Sequence, residues 1–435
     1  MEKINNNLNI LIFPSGSGVA KEIFDSLKYI RWINIIGSDF NDKNFSYYEF
    51  KNLELDAPFI KDENDTILYL KNIIKKHNID CIYPAFDSML VFLKNKEKEL
   101  DVKIICSPIE TCNLCISKLK TYNLLHNFIK TPKILDINTI DNYPVFIKPD
   151  KGYGSRDSFK INNKDELLFY TKKINDYIIC EYLPGDEFTI DCFTSKKNGL
   201  LFCEARKRVK AVNGLSILTE HCDIPEIKNI ACIINEKIIF EGSWFFQVKY
   251  NNENKLTLLE IAPRIPGAAA LHRAYCFNAP LLSIYEHYNI NIDYIPINNY
   301  TNNISCYKIT ENKYNLNLLY DVVYIDLDDT IIIKNKVNTK IIQFLYYIKN
   351  ENKRIILITR NNDPYSYLKK YKITEELFDN IILINNKNDK KSSFITEKNS
   401  IFIDDSYSER EDVRNICKIN VFNCDIINVL LNEKF

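Results

Sequence analysis

The stretch YPVFIKPDKGYGS, residues 143–155, decides how the rest of the chain is interpreted. Its apolar run Val145–Ile147 predicts a short buried strand, and this strand delivers Lys148 at its end. Gly152 and Gly154 follow in a loop that can approach a ligand closely, because glycine has no Cβ atom. A lysine beside such a loop is suited to binding polyphosphate, although an ordinary surface turn after a strand has the same composition. The segments on either side decide between these two interpretations.

The composition excludes several classes of function. A chain of 435 residues predicts about two to four domains. Lys+Arg and Asp+Glu are both 57, so the formal net charge is zero and we expect no nucleic-acid or membrane partner. The sequence has no charged-then-apolar leader and no apolar run near the roughly 20 residues that span a bilayer. The 13 cysteines lack zinc-site spacing, so we predict reduced thiols in a cytoplasmic protein.

Residues 1–108 alternate apolar strands with amphipathic helices, which favours a parallel, doubly wound, Rossmann-like sheet. The predicted strands are LNILIFP (8–14), WINIIGSD (32–39), DCIYPAFD (80–87) and VKIICS (102–107). Ser17, Asp39 and Asp87 follow strands and are candidates for binding a substrate, because ligands collect at the carboxyl ends of parallel strands. Gly16-Ser17-Gly18 is not a dinucleotide fingerprint, since Lys21 stands where the third glycine should be.

The segments after residue 108 place further polar residues at strand ends and hairpins. The segment 117–132 predicts a helix that stops before Pro132, and YIICEYLPGDEFTIDCF (177–193) predicts two strands around a turn. A hairpin is predicted in 244–270, with Gln247 on its first strand and Glu260 near the end of its second. The two oxygen-bearing side chains would face each other, and hard oxygen ligands are those that Mg²⁺ prefers.

This order of motifs resembles the ATP-grasp superfamily, most closely its carbamoyl-phosphate-synthetase-like branch, over about residues 8–290. The resemblance implies a pre-ATP-grasp domain (1–108), an ATP-grasp domain of α+β fold (109–292) and a linker (293–319). It also implies an enzyme that uses ATP and Mg²⁺, with Mn²⁺ as an alternative, to phosphorylate a carboxylate. The acyl group would then pass to an amine, with release of ADP.

The resemblance also implies a role for each matching residue. The phosphates of ATP would contact Lys118, Lys148 and the loop residues Gly152, Gly154 and Ser155. Adenine would bind the backbone of Glu181 and Leu183, the ribose would bind Glu187, Mg²⁺ would bind Gln247 and Glu260, and the transferred phosphoryl group would contact Arg264.

Two positions depart from the family pattern. Ala262 stands where the family usually has a metal-binding Asn, and Ser117 stands where it often has Asp. Without the Asn oxygen, the binding of a second Mg²⁺ would be weaker unless a water molecule takes the place of that ligand. Arg206 and Arg208 are candidates for binding a substrate carboxylate, although a basic hairpin is as often simply solvated.

Residues 320–435 predict a second parallel sheet with acids at its strand ends. The predicted strands are DVVYIDLDDTII (321–332), RIILITR (354–360), NIILIN (380–385) and SIFIDDS (400–406). The ordered motifs resemble the haloacid-dehalogenase (HAD) phosphatase superfamily. Gaps of about 30 residues on either side of Thr359 leave no room for a cap domain of the usual size. A capless HAD-like domain implies an open site and a large substrate, or a lid supplied by the neighbouring domain.

The HAD resemblance implies that Asp326 attacks phosphorus and that Asp328 acts as general acid and base. Thr359 would bind the phosphoryl oxygens, and Lys391 would supply the positive charge, with Lys390 and Lys387 as alternatives. Mg²⁺ would be held by Asp326, the backbone carbonyl of Asp328, and one or both of Asp404 and Asp405.

The sequence therefore predicts an α/β multidomain enzyme with a ligase and a phosphatase activity. Its substrates would be a small carboxylate, an amine and a phosphorylated metabolite of the same pathway. Two alternatives remain: a phosphatase regulated by a nucleotide-sensing ATP-grasp module, and a binding module that holds ATP without turnover. The sequence leaves open whether the chain forms a homodimer.

Overall fold

The structure is a computed structural model that describes residues 7–40, 43–58, 62–152, 154, 156–212, 214–298, 304–316, 318–386, 388–431 and 434. The chain divides into two compact units, Met1–Thr310 and Glu311–Lys434, here called the N-terminal and C-terminal units. The division falls inside the stretch 293–319 that was expected to be a linker. Each unit is described by itself.

The N-terminal unit begins with a parallel sheet flanked by helices. The strands are β1 (Leu8–Phe13), β2 (Ile33–Ser38), β3 (Asn52–Glu54), β4 (Cys81–Pro84) and β5 (Lys103–Ile104). The helices are α1 (Gly18–Leu27), α2 (Phe45–Glu49), α3 (Glu63–His77), α4 (Asp87–Leu100) and α5 (Ile109–Cys115). The strand order is β3-β2-β1-β4-β5, with parallel pairing throughout.

The central position of β1 explains its composition. The strand is LNILIF, with Ile10, Leu11 and Ile12 fully buried, because helices cover both faces of a parallel sheet. The side chain of Ser17 caps α1 by accepting a hydrogen bond from the amide of Ala20. The fourth predicted strand is shorter than expected, since VKIICS forms a strand only at Lys103–Ile104.

A small antiparallel sheet contains Val145–Pro149 from the stretch quoted first. Helix α6 (Lys118–Leu125) and a 3₁₀ helix (Ile137–Thr139) precede it. The elements are β6 (Val145–Pro149), β7 (Phe159–Ile161), α7 (Lys164–Thr171) and β8 (Tyr177–Glu181), and the sheet order is β7-β6-β8. Helix α6 is shorter than the helix predicted in 117–132, which was expected to continue until just before Pro132.

A larger antiparallel sheet forms the rest of the N-terminal unit. Its strands are β9 (Glu187–Ser195), β10 (Gly199–Val212), β11 (Leu215–Cys222), β12 (Gly242–Tyr250), β13 (Leu256–Ala262) and β14 (Ser305–Tyr307), in the order β13-β12-β9-β10-β11-β14. Its helices are α8 (Glu226–Lys237), α9 (Ala270–Ala274) and α10 (Ala279–His287). Strand β14 was not predicted, because it lies in the polar stretch that was interpreted as a linker. It adds to the edge of β11, so part of that stretch belongs to the sheet.

The C-terminal unit has a parallel sheet of its own. Its strands are β15 (Val322–Ile325), β16 (Ile332–Ile333), β17 (Lys336–Val337), β18 (Arg354–Thr359), β19 (Asn380–Leu383), β20 (Ser400–Ile403) and β21 (Asn420–Phe422). Its helices are α11 (Thr339–Asn350), α12 (Pro364–Lys370) and α13 (Tyr407–Cys417), with 3₁₀ helices at Glu375–Leu377, Lys391–Phe394 and Cys424–Val429. The sheet order is β19-β18-β15-β20-β21, and β16 and β17 form a hairpin. The carboxyl ends of β15, β18 and β20 therefore meet at one edge.

Two further properties follow from the described residues. All 13 cysteines fall within them, and each is a free thiol. Among the described helices, none combines the length and the apolar content needed to cross a bilayer.

Candidate functional site

A cavity of about 960 Å³ lies between the three sheets of the N-terminal unit. Its walls carry eight lysines or arginines and three acids, so the space is suited to anionic ligands. The eight cations are Lys118, Lys148, Arg156, Arg206, Arg208, Lys249, Arg264 and Lys308. The three acids are Asp87, Glu187 and Glu260. Gly152, Gly154 and Leu183 also line the cavity, as does Ser17. The predicted loop residue Ser155 lies outside the described residues.

Lys118 stands at the first turn of α6, where it contacts the loop after β6. Its Nζ donates to the carbonyl oxygens of Asp150 at 3.2 Å and Gly152 at 3.1 Å. Burial lowers the pKa of Lys118, although Glu260 opposes that shift. The departure at Ser117 has a local explanation, because its hydroxyl caps α6 and donates to the Asp150 carboxylate at 2.7 Å. Asp150 thus places a carboxylate at this helix start.

Lys148 projects from β6 into a buried hydrogen-bond triangle. Its Nζ donates to the hydroxyl of Tyr122 at 2.8 Å and to the carbonyl of Leu259 at 3.4 Å. The Tyr122 hydroxyl itself donates to the Leu259 carbonyl at 2.5 Å. Lys148 is 6% exposed and lines the cavity. The lysine is therefore held at a fixed place by groups from α6 and β13.

Gln247 and Glu260 are directly opposite each other on β12 and β13. With the Gln247 amide in its hydrogen-bond-satisfying orientation, its nitrogen donates to Glu260 Oε1 at 3.2 Å and its oxygen accepts from Arg208 Nη1 at 2.6 Å. Arg208 also pairs with Glu187, with 3.1 Å between Nε and Oε1. One arginine thus joins the predicted metal pair to the predicted ribose ligand, a link that sequence reasoning missed.

Arg264 is held by an acid from the first sheet. Its Nε and Nη2 donate to the two carboxylate oxygens of Asp87 at 2.5 Å and 2.7 Å. The guanidinium also lies 5.2 Å from the ring centroid of Phe245. Of the three strand-end candidates in residues 1–108, Asp87 and Ser17 line the cavity. Asp39 is buried, where its carboxylate accepts from the side-chain amide of Asn44.

Of the two residues predicted to contact adenine, Leu183 lines the cavity and Glu181 does not. Leu183 lines the cavity together with Cys180 and Tyr182. Glu181 is not among the described lining residues. Its carboxylate accepts from the amide of Lys133 at 3.0 Å, and its own amide donates to the Lys133 carbonyl at 3.0 Å. The side chain of Glu181 therefore fastens β8 to the preceding segment.

Gly214 was not singled out as a site residue, yet it contacts the glycine loop. Its φ is +75°, and a Cβ atom there would lie 2.2 Å from the carbonyl oxygen of Gly154. Arg208 Nη2 donates to the carbonyl of Gly214 at 2.9 Å. The close approach requires glycine at this position.

A smaller cavity of about 180 Å³ adjoins Glu260 of the predicted metal pair. Ala262, Glu260, Arg264 and Lys118 line it. The position where the family usually has a metal-binding Asn therefore opens into free space beside Glu260.

In the C-terminal unit, Lys391 lies between two buried acids at the carboxyl edge of the sheet. Its Nζ is 2.5 Å from Asp326 Oδ1 and 2.6 Å from Asp404 Oδ2. Burial raises the pKa of Asp326 to about 7 against the effect of Lys391, and Asp404 adds to the rise. Burial disfavours the charge of Lys391, but the two acids outweigh it and raise the pKa of the lysine. The alternative Lys390 is exposed, and Lys387 lies outside the described residues.

Asp405 completes a group of carboxylates. Oxygen atoms of Asp326, Asp404 and Asp405 all lie within 4.8 Å of one another. Asp328 lies outside this group, and its carboxylate accepts from the side-chain amide of Asn361 at 3.2 and 3.3 Å. Thr359 is fully buried, and its hydroxyl accepts from the amide of Asn361 at 3.0 Å. Asn361 was missed in the sequence, where nothing distinguishes it from the many other asparagines.

The fold of the N-terminal unit has known counterparts. The structure of biotin carboxylase from Campylobacter jejuni superposes with a TM-score of 0.57 at 14% identity, covering 67% of this chain and 73% of that one. The L-amino acid ligase from Bacillus licheniformis superposes with a TM-score of 0.53 at 17% identity, covering 66% and 75%. Residues 173–306 match the family model "ATP-grasp in the biosynthetic pathway with Ter operon". The N-terminal unit has the ATP-grasp fold.

Two curated proteins are similar to the chain in sequence. It is 30% identical over 110 residues to the D-alanine–D-alanine ligase of Petrotoga mobilis, a match covering 23% of this chain and 37% of that protein. It is 22% identical over 234 residues to the carbamoyl-phosphate synthase of Methanobrevibacter smithii, covering 47% and 63%. The chain thus spans less than two thirds of the length of either relative. These sequence similarities agree with the ATP-grasp fold of the N-terminal unit.

Proposed function

We propose that the ATP-grasp unit is an ATP- and Mg²⁺-dependent carboxylate–amine ligase that releases ADP. The observation that carries this proposal is the shared cavity of Lys118, Lys148, Arg264 and the Gln247–Glu260 pair. Cations and a pair of oxygen ligands in one cavity are the parts that phosphoryl transfer from ATP requires. We further propose the domain boundaries 1–108 for a Rossmann-like domain, 109–292 for the ATP-grasp domain and 320–435 for a capless HAD-like domain.

The residues divide the work as follows. A carboxylate oxygen of the acid attacks the γ-phosphorus, the bond to the β-γ bridging oxygen breaks, and ADP leaves with that electron pair. Arg264 stabilises the charge on the transferred group, while Lys148 and Lys118 hold the phosphates. The acyl phosphate then reacts with the amine, which forms the amide and expels phosphate. Positioning and charge neutralisation provide the catalysis.

The donor chemistry of Gln247 and Glu260 fits Mg²⁺, because an amide oxygen and a carboxylate are hard ligands on adjacent strands. When bound, the ion neutralises phosphate charge. In the orientation of the Gln247 amide that satisfies its hydrogen bonds, the amide oxygen accepts from Arg208, so Arg208 competes with the ion for that atom.

The proposal is tested by ADP release over a panel of carboxylates and amino acids, with hydroxylamine added to trap acyl phosphates as hydroxamates. Lys148→Ala should abolish turnover, while the exposed Lys164→Ala, at the start of α7, should leave it unchanged. Release of AMP and pyrophosphate would rule out the acyl-phosphate mechanism. Nucleotide binding without stimulation by any acid would favour a binding module.

We also propose that the C-terminal unit is a Mg²⁺-dependent phosphatase. The specific observation in its favour is Lys391 between Asp326 and Asp404, with Asp405 close by. Asp326 would attack phosphorus, and Asp328 would protonate the departing alcohol and then activate the water that cleaves the aspartyl phosphate. The three clustered carboxylates fit a hard cation, which would offset their mutual repulsion.

The phosphatase proposal is tested with p-nitrophenyl phosphate and a panel of phosphorylated metabolites. Asp326→Asn should abolish phosphate release, and EDTA should do the same. Ligase turnover should persist in Asp326→Asn, just as phosphatase turnover should persist in Lys148→Ala. If Lys148→Ala leaves every activity of the protein intact, the regulated-phosphatase alternative is favoured over the ligase.

A further inference from the structure

Arg206 occupies the same row of the large sheet as the predicted metal pair. The register pairs Glu260 with Gln247, Gln247 with Thr189, and Thr189 with Arg206. Directly paired residues in an antiparallel sheet project on the same face. Arg206 therefore faces the cavity side, two strands or about 10 Å from Gln247 between Cα atoms. Both residues line the cavity.

The guanidinium of Arg206 is buried and is held in place by an ion pair. It is 2% exposed, and its Nε and Nη2 donate to the two oxygens of Asp191 at 3.2 Å and 3.4 Å. Asp191 is itself buried, and His272 Nδ1 lies 2.6 Å from its Oδ2. Burial would raise the pKa of Asp191, but Arg206 and His272 outweigh it and hold the pKa below its ordinary value. The acid thus remains a carboxylate that orients the guanidinium.

One nitrogen of this guanidinium donates no hydrogen bond within the described part of the chain. Arg206 Nη1 is buried and has no hydrogen-bond partner among the described residues. A buried, unpaired donor on a charged group is costly, so such atoms in native proteins call for an explanation. A bound anion would satisfy it, because guanidinium donors match carboxylate oxygens.

The neighbouring arginines of the cavity are already engaged. Arg264 forms its two-point contact with Asp87, and Arg208 binds Glu187 and the Gly214 carbonyl. Phe245 is directly opposite Asp191 in the sheet and lies under the Arg264 guanidinium. Phe245 therefore neighbours both the acid that holds Arg206 and the guanidinium of Arg264.

We propose that Arg206 binds the carboxylate of an amino-acid acceptor, as a substrate subsite distinct from the phosphoryl-transfer centre. The proposal rests on the proposed ligase function. An acceptor amine must lose its proton before it attacks an acyl phosphate, so its own charge cannot hold it in place. A carboxylate elsewhere on the acceptor provides that anchor, and fixing it at Arg206 orients the amine. The cationic cavity favours such an acceptor over a simple amine, whose ammonium form it repels.

The test is a thermal-shift panel of the full-length protein with ADP and Mg²⁺, titrated with each of the proteinogenic amino acids and the matched amines that lack the carboxylate. At least one amino acid should raise the Tm of the wild type, whereas its decarboxylated amine should not. Arg206→Gln should require at least about tenfold more amino acid for the same rise. Lys210→Ala, an exposed basic residue of the same strand, should behave as the wild type.

Arg206→Lys is a second variant for the case in which Arg206→Gln folds poorly. Lysine keeps a positive charge beside Asp191 but lacks the planar guanidinium that binds a carboxylate through two hydrogen bonds. This variant should bind fluorescent ATP normally and still lose most of the amino-acid response. In the trapping assay, Arg206→Lys should form hydroxamate within about threefold of the wild-type rate, because hydroxylamine carries no carboxylate.

The inference is overturned if no amino acid stabilises the wild type, if the matched amines stabilise it equally, or if both Arg206 variants retain the full response. Failure of the ligase proposal gives a different result. In that case amino acids would still shift the Tm through Arg206, but no acid would yield ADP or hydroxamate.

Discussion

Arg264 and Asp87, separated by 177 positions in the sequence, form a two-point ion pair with contacts of 2.5 Å and 2.7 Å. Asp87 begins α4, three positions after the end of β4 in the first sheet, and Arg264 lies two positions after the end of β13 in the large sheet. The pair joins the two sheets at the wall of the cavity. It also fixes the arginine that we propose for phosphoryl transfer.

Removing the charge of Asp87 should impair the chemical step more than ATP binding. We expect Asp87→Asn to lower kcat for ADP formation by about 10- to 100-fold, with KM for ATP within about threefold, because a misplaced guanidinium loses transition-state contacts. Asp101→Asn is the matched control, since Asp101 is the exposed residue after the same helix and has a φ of 50° that Asn tolerates. A rise in kcat for Asp87→Asn would instead show that the pair restrains Arg264 and must break.

Restoring the oxygen missing at Ala262 should strengthen the metal site. Because Ala262 and Glu260 line the same cavity of about 180 Å³, an added side chain has space beside the carboxylate. We expect Ala262→Asn to lower the Mg²⁺ concentration for half-maximal activity by about three- to tenfold.

Ala262→Leu is the control of similar size without an oxygen ligand. It should leave the Mg²⁺ requirement unchanged or raise it. If both variants shift the Mg²⁺ titration equally, the effect comes from filling the cavity and not from coordination.

The pKa of Lys118 predicts a pH dependence of nucleotide binding. Burial lowers this pKa below the ordinary 10.5, so in the free protein the ammonium loses its proton at a lower pH than an exposed lysine does. ATP affinity should therefore weaken as the pH rises through the lowered value, because the phosphates lose one cation. The stability of the free protein should move in the opposite direction, since the unfolded chain binds more protons there.

Calorimetric titration of ATP at increasing alkaline pH measures this effect. Lys118→Arg should keep its affinity over the same range, because arginine remains charged. Parallel pH profiles for the two proteins would exclude Lys118 as the titrating contact.

Local sequence patterns predicted the parts of the site that sit at strand ends. Lys148 ends an apolar run. Gln247 and Glu260 were expected to face each other across a hairpin, and they do so although the register shifts by one residue between Gln247 and Val248. The acids Asp326 and Asp404 likewise follow buried parallel strands. The roles assigned to these residues stay predictions.

The contacts that the sequence did not predict are those between residues far apart in the chain. The contact of Arg206 with Asp191 joins neighbouring strands, but His272 approaches the same acid from α9, 81 positions away. No periodicity encodes that contact, nor the pairing of Asp87 with Arg264. Strand β14 was missed because three residues in a polar stretch become a strand only when β11 offers a free edge.

Lys391 should stabilise the C-terminal unit when no metal is bound. Its ammonium lies between the buried carboxylates of Asp326 and Asp404, and its removal leaves two uncompensated acids in the core of the site. We expect Lys391→Met to lower the free energy of unfolding in EDTA by about 3–5 kcal/mol. Added Mg²⁺ should recover part of the loss, because the cation neutralises the same carboxylates.

Both tryptophans, Trp32 and Trp244, belong to the N-terminal unit, so hydrogen exchange of peptides from residues 320–431 is the appropriate measurement. Lys390→Met is the matched control, since the Lys390 side chain is 62% exposed and its ion pair with Asp412 spans 4.0 Å. Lys390→Met should change the free energy of unfolding by no more than about 0.5 kcal/mol, as the loss of other exposed ion pairs does. Equal exchange in the two variants, with and without Mg²⁺, would show that Lys391 does not compensate the buried acids.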